Sequence, residues 1–175
     1  GVKYINEQGE HSRNAYGKNC FYSFHDVARR KAFIPSPTLL VLRDAIIQVG
    51  GYNDEFKVED LYMILKLADY GGVYYSMKEV LVKYRRHSDN LSKKSDLILE
   101  EVNKILSQYK YRADYNEIQA ASLMVQAHDY QLLSNIKGIS YLLKALQLDP
   151  KQLFSKSIFK FLIKLVYNPT KKSKL

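Results

Sequence analysis

The residues with the most chemical content lie between positions 54 and 87. Two acidic pairs, Asp54–Glu55 and Glu59–Asp60, are followed by a basic run, Arg85–Arg86–His87. Glu59 and Asp60 open a stretch of helical periodicity, so both fall in a first turn, where the positive end of the helix dipole and unpaired backbone donors hold a carboxylate in place. A carboxylate held that way suits proton abstraction. The plain alternative is a favourable helix start, worth a few tenths of a kcal/mol per acid, about 0.3 kcal/mol at the low end. Arg85 and Arg86 carry planar forks that pair with diphosphate or other oxygens, or they are solvated. His87 reads by itself as an exposed loop histidine, and Asp54 and Glu55 read as surface loop acids. Cys20 has one nearby lysine, Lys18, and no histidine partner in sequence, so it offers no nucleophile, and one thiol makes neither a disulfide nor a zinc cluster. Asn90–Leu91–Ser92 fits a glycosylation sequon, a pattern that chance also produces.

The elements that must position these groups follow from periodicity and punctuation. Val2–Ile5 is strand-like and ends in the polar turn Asn6–Gly9. Residues 13 to 31 are mixed, with a short helix expected near 25–30. Residues 32–34 read as a short strand, broken by Pro35–Ser36–Pro37 and resuming at 38–41. Asp44–Val49 has helical spacing and stops at Gly50–Gly51, and Val58–Tyr70 repeats apolar residues at Leu61, Ile64, Leu65 and Ala68 before stopping at Gly71–Gly72. Two short strands are expected at 72–75 and 80–84. Beyond them the texture turns wholly helical, at 96–109, 114–134, 136–148 and 151–167, with Pro150 closing the third stretch. The organisation expected is an α/β portion over 1–93 and an all-helical extension over 94–175.

Composition bounds the function. The 175 residues are 46% hydrophobic, enough for an ordinary core, and include 15 tyrosines, 7 phenylalanines and no tryptophan. No apolar run approaches the 18 or so residues of a spanning helix, and no leader is visible, which together with the lone cysteine fits a cytoplasmic setting. Gly1 is not an initiator residue, so the natural polypeptide is expected to extend upstream or Gly1 to be a cloning remnant. The net charge is +9, and residues 151–175 hold seven lysines and no acid, which leaves +2 for the rest. The main body therefore lacks the basic, aromatic-rich stripe of a nucleic-acid binder.

The order Arg43–Asp44, Val49–Gly50–Gly51–Tyr52–Asn53–Asp54–Glu55, Glu59–Asp60, Gly71 and Tyr84–Arg85–Arg86–His87 resembles the second half of a bacterial family 2 glycosyltransferase with the GT-A fold. The resemblance covers roughly half of the chain. It implies a partial GT-A, Rossmann-like half carrying the acceptor side, and an inverting transfer from a nucleotide-sugar, a UDP-sugar above all, to a glycan or lipid-linked acceptor of the cell envelope. It implies that Asp60 is the general base, with Glu59 beside it, that Asp54, Glu55, Arg85 and Arg86 meet substrate, and that His87 helps hold a divalent metal, Mn²⁺ or Mg²⁺. Prolines stand at 35 and 37 where the family carries a small-residue loop beneath the donor sugar. The family's Asp-x-Asp is absent, since residues 1–31 contain only Asp26. The resemblance thus places the start of this chain just downstream of that motif and implies that the chain alone is inactive, with its uncovered surface prone to self-association.

The tail adds a rival expectation. Lys156, Lys160 and Lys164 fall four apart, while Phe154, Ile158, Phe161, Leu162 and Leu165 form an apolar face. That arrangement suits a peripheral contact of 151–167 with the inner face of the cytoplasmic membrane, or a cap packed on a core. The alternative to an enzyme is a helical interaction or membrane-docking module.

Overall fold

β1, Val2–Ile5, is the central strand of the first sheet. Val2 and Ile5 point to opposite faces of it, as residues three apart on a strand must, and both are buried. The chain reverses at Asn6–Gly9, where Asn6 Oδ1 accepts from Glu10 N at 2.8 Å, into β2, His11–Ala15, antiparallel to β1. On the other side β5, Val82–Arg85, runs parallel to β1 with Val2 opposite Val82 and Ile5 opposite Arg85. A second, two-stranded antiparallel sheet joins β3, Cys20–Tyr22, to β4, Tyr74–Ser76. The two strands flanking the 76–79 turn thus enter different sheets. In this computed structural model, residues 1–32, 34–87, 95–131 and 134–166 are described.

The helices of the first unit are α1, Phe24–Ala28, α2, Arg43–Gln48, α3, Glu59–Asp69, and α4, Ser95–Ser107. α1 begins where Ser23 N and Oγ both donate to Asp26 Oδ2, at 3.1 and 2.8 Å, a reach-back by the third helical residue that satisfies the cap. α3 buries Met63, Ile64, Leu65, Leu67 and Ala68, and Met63 and Leu67 pack with Val49, Ala45 and Tyr74. Burial of Tyr74 raises its phenol well above the usual range, and its hydroxyl donates to Ile64 O at 2.9 Å, tying β4 to α3.

The strand expected around 32–41 is not there. Ala32 and Ile34 are irregular, Phe33 lies outside the described residues, and Ser36–Thr38 forms a 3-10 turn with Thr38 Oγ1 donating to Pro35 O at 2.7 Å. Two prolines within three residues remove two ladder donors and fix their φ, so the apolar run that follows has no partner strand.

A second unit begins at Tyr109. α5, Tyr115–Gln131, and α6, Asn135–Leu148, pack closely, because at Gly138 a Cβ would lie 3.0 Å from Ala127 O and 3.1 Å from Gln131 Cα. After Asp149 the single expected helix is two pieces, a 3-10 turn Pro150–Phe154 and α7, Lys156–Val166. Asp149 is buried and accepts from Lys151 N at 3.1 Å and Gln152 Nε2 at 2.8 Å, and Ser155 Oγ accepts from Ile158 N at 3.3 Å to start α7. Ala120, Met124, Ala127, Leu142, Ala145, Ile158 and Phe161 form the core.

The compact units divide after Gln108, while the change from mixed α/β to helical elements lies between β5 and α4. α4 belongs to the first unit because Glu101 and Lys104 bind the loop before α3, as described below. Position 93, the Asn90–Leu91–Ser92 sequon and the lysine-rich end beyond 166 lie outside the described residues. Among the described residues, no helix is long and apolar enough to cross a membrane.

Candidate functional site around the start of α3

The approach to α3 is built from a turn that needs glycine. Gly50 and Gly51 close α2 with φ of 86° and 74°, values that side-chain-bearing residues rarely adopt, and Gly51 N donates to Ile46 O at 2.9 Å. The loop that follows folds on itself, with Glu55 N donating to Asn53 Oδ1 at 2.9 Å. Phe56 is its anchor: it is 3% exposed and stacks on Tyr62 of α3 with centroids 4.7 Å apart.

α4 clamps this loop from a later stretch of the chain. Lys104 Nζ donates to Glu55 O at 3.0 Å and lies 4.7 Å from the Phe56 ring centroid, while Glu101 Oε2 accepts from Lys57 N at 2.8 Å. Glu101 and Lys104 are residues that sequence reasoning missed. Their only signal was a spacing of three on one helix face, which is common on solvated helices.

α3 begins at Glu59, and the residue before it, Val58, supplies no side-chain cap. Asp60 is half-buried and its Oδ1 accepts from Leu61 N at 2.7 Å. Glu59, Asp54 and Glu55 have exposed side chains. The structure therefore collects all four acids on one short stretch, with Asp60 the most enclosed.

The basic run sits at the carboxyl end of the parallel pair. Arg86 N donates to Ile5 O at 2.9 Å, extending the β1–β5 pairing by one residue. Arg85 Nη1 donates to Asn6 O at 3.1 Å and Glu7 O at 2.6 Å, so its guanidinium braces the β1–β2 turn. Arg86 lies 5.7 Å from the Tyr4 ring centroid, a ring that also faces Arg13 at 4.9 Å and meets Tyr84 edge-on at 5.5 Å. His87 is exposed. Among the described residues, no hydrogen bond or ion pair joins Asp60 to Arg85, Arg86 or His87. No group of three or more His, Cys, Asp or Glu side chains converges there as a metal site either, so His87 does not make one with the residues described.

A separate apolar cleft of about 780 Å³ opens in the first unit between the 34–42 segment and the 72–82 segment. Leu40, Leu42, Val73 and Leu81 line it and are 98, 80, 64 and 71% exposed. Pro35, Pro37 and Thr38 also line it, while none of the candidate acidic or basic residues does.

Comparison of the chain with protein-family models, with curated proteins and with solved structures finds no match.

Proposed function

We propose that this chain is the acceptor-side portion of an inverting GT-A glycosyltransferase resembling family 2, with Asp60 as the general base. The observation that carries the proposal is the half-buried carboxylate of Asp60 at the uncapped start of α3, behind a loop fixed by Gly50–Gly51 on one side and by α4 on the other. A base needs its carboxylate held but still reachable, and this placement supplies both conditions. In the reaction, Asp60 takes the proton of the acceptor hydroxyl as that oxygen forms its bond to the anomeric carbon. The bond from that carbon to the diphosphate breaks, and the nucleoside diphosphate leaves with the electron pair. Glu59, Asp54 and Glu55 border the acceptor side, and Arg86 is the better placed of the two arginines to meet substrate oxygens, since Arg85 is engaged by the turn.

The donor half, with the Asp-x-Asp and its divalent cation, lies in this reading outside these 175 residues. The apolar cleft supports it, because exposed leucines lining a hollow between segments are the kind of surface that another layer of a domain covers. The test is sugar transfer by a longer polypeptide that carries both halves. Asp60→Asn should lower kcat by about 10²- to 10⁴-fold, the usual contribution of a general base, with donor affinity unchanged. An unchanged kcat would remove Asp60 from the role.

A further inference from the structure

α7 carries three stripes, and the fold uses only one of them. At about 100° per residue, Ile158, Phe161 and Leu165 fall on one side. Ile158 and Phe161 are buried in the core of the second unit and Leu165 is half-buried, so most of the face expected from sequence to meet a membrane is a packing face. Lys156, Lys160 and Lys164 fall together on another side and are exposed. Between these two, Phe159, Leu162, Ile163 and Val166 make a third stripe, 61, 46, 61 and 80% exposed. Phe154, at the end of the preceding 3-10 turn, is 88% exposed.

A contiguous row of large apolar side chains in water is an interaction surface. Its neighbours indicate what covers it. From Pro150 to the end of the chain there are seven lysines and no acidic residue, and the lysine stripe runs beside the apolar one along the whole helix. A second copy of α7 would bring lysines against lysines. An anionic bilayer accepts both stripes at once: apolar side chains enter the boundary below the headgroups, while lysine stems lie along it and their ammonium groups stay among the phosphates. With 11 residues α7 is about 16 Å long, too short to span and suited to lying flat.

We propose that α7 docks this chain on an anionic lipid surface through Phe159, Leu162, Ile163 and Val166, with Lys156, Lys160 and Lys164 on the headgroups. Docking leaves Ile158 and Phe161 in the core, so it requires no unfolding, and it does not depend on the role of Asp60.

The experiment is sedimentation of the full 175-residue chain with vesicles of phosphatidylcholine alone and of phosphatidylcholine with phosphatidylglycerol, at low and high salt. Binding to the anionic vesicles, weakened by salt, is expected. Replacing Lys156, Lys160 and Lys164 together by Gln should weaken it on the order of 100-fold, about fivefold per lysine. Phe159→Ser with Ile163→Ser should weaken it at least about tenfold while leaving the thermal transition in place, since both side chains are exposed. Three results would overturn the proposal: no binding to anionic vesicles, equal binding to neutral ones, or variants that bind like the parent. A dimer without lipid affinity, dissolved by Phe159→Ser, would assign the stripe to a second copy instead.

Discussion

Cutting the clamp between α4 and the acidic loop should loosen the start of α3 without touching Asp60. Two substitutions do this: Glu101→Leu removes the carboxylate that accepts from Lys57 N, and Lys104→Met removes the ammonium that meets Glu55 O and the Phe56 ring while keeping the aliphatic stem. A hydrogen bond to a charged group contributes about 1.5–3 kcal/mol at the strong end, and Lys104 and Lys57 are exposed, so about 1 kcal/mol each is the fitting value. The exposed Lys104 ammonium over the Phe56 ring adds about 0.5 kcal/mol. The double variant should therefore lose about 2 kcal/mol, slightly less than the sum of the singles because both contacts hold one loop. For a unit of this size, that is a fall of about 8 °C in the melting of the first unit. Differential scanning calorimetry would read it, with the second unit as an internal reference. A double variant that melts like the parent would mean that α4 does not restrain this loop, and the explanation offered for the fixed position of Asp60 would fail.

Three further outcomes are expected. Gly138→Ala places a methyl about 3.0 Å from backbone atoms of α5, so it should destabilise the second unit by about 1–2 kcal/mol by chemical denaturation, despite alanine's better helix propensity. His128 is held below the usual imidazole range by burial, then by Lys164, with Lys160 also lowering it and Ser157 O and Asp129 opposing. Its folded form therefore binds a proton less readily than the unfolded chain does. Its contribution is complete above about pH 6.5 and is lost as the pH falls below that toward the depressed folded value. The melting difference of the second unit between about pH 7.5 and about pH 5.5 should shrink in His128→Gln, and an unchanged difference would contradict this. The chain should also self-associate through its apolar cleft, and Leu40→Ser with Leu81→Ser should return it to monomer in sedimentation equilibrium; a parent that is monomeric at high concentration would refute it.

The elements legible in the sequence were those whose local signals agree with their packing. α3 was readable because Ile64, Leu65 and Ala68 recur at helical spacing and are buried, and because Gly71 follows its end. β1 was readable from its strand-like residues and from the polar turn after it. What the sequence hid was long-range. Nothing local states that β5 pairs in parallel with β1, 80 residues earlier, or that β4 pairs with β3, because ladder partners are chosen by sheet geometry. The 32–41 segment has strand-like side chains, but Pro35 and Pro37 outweigh them. In α7 the apolar arc is so wide that its period allows more than one inward face, and the core selected Ile158 and Phe161. At the candidate site the acids were visible as types and spacing. The clamp by Glu101 and Lys104 and the diversion of Arg85 to the β1–β2 turn were not, since each depends on which neighbour the fold delivers.

If these residues are, as proposed, one half of a nucleotide-sugar-dependent transferase, UDP should bind in the presence of Mn²⁺ only when the donor half is present. Calorimetry would compare this chain with a longer polypeptide in which a nucleotide-binding half carrying Asp-x-Asp is joined ahead of it. Heat of binding is expected for the longer polypeptide and none for this chain; absence of binding by both, to UDP and to other nucleoside diphosphates, would rule out the transferase reading.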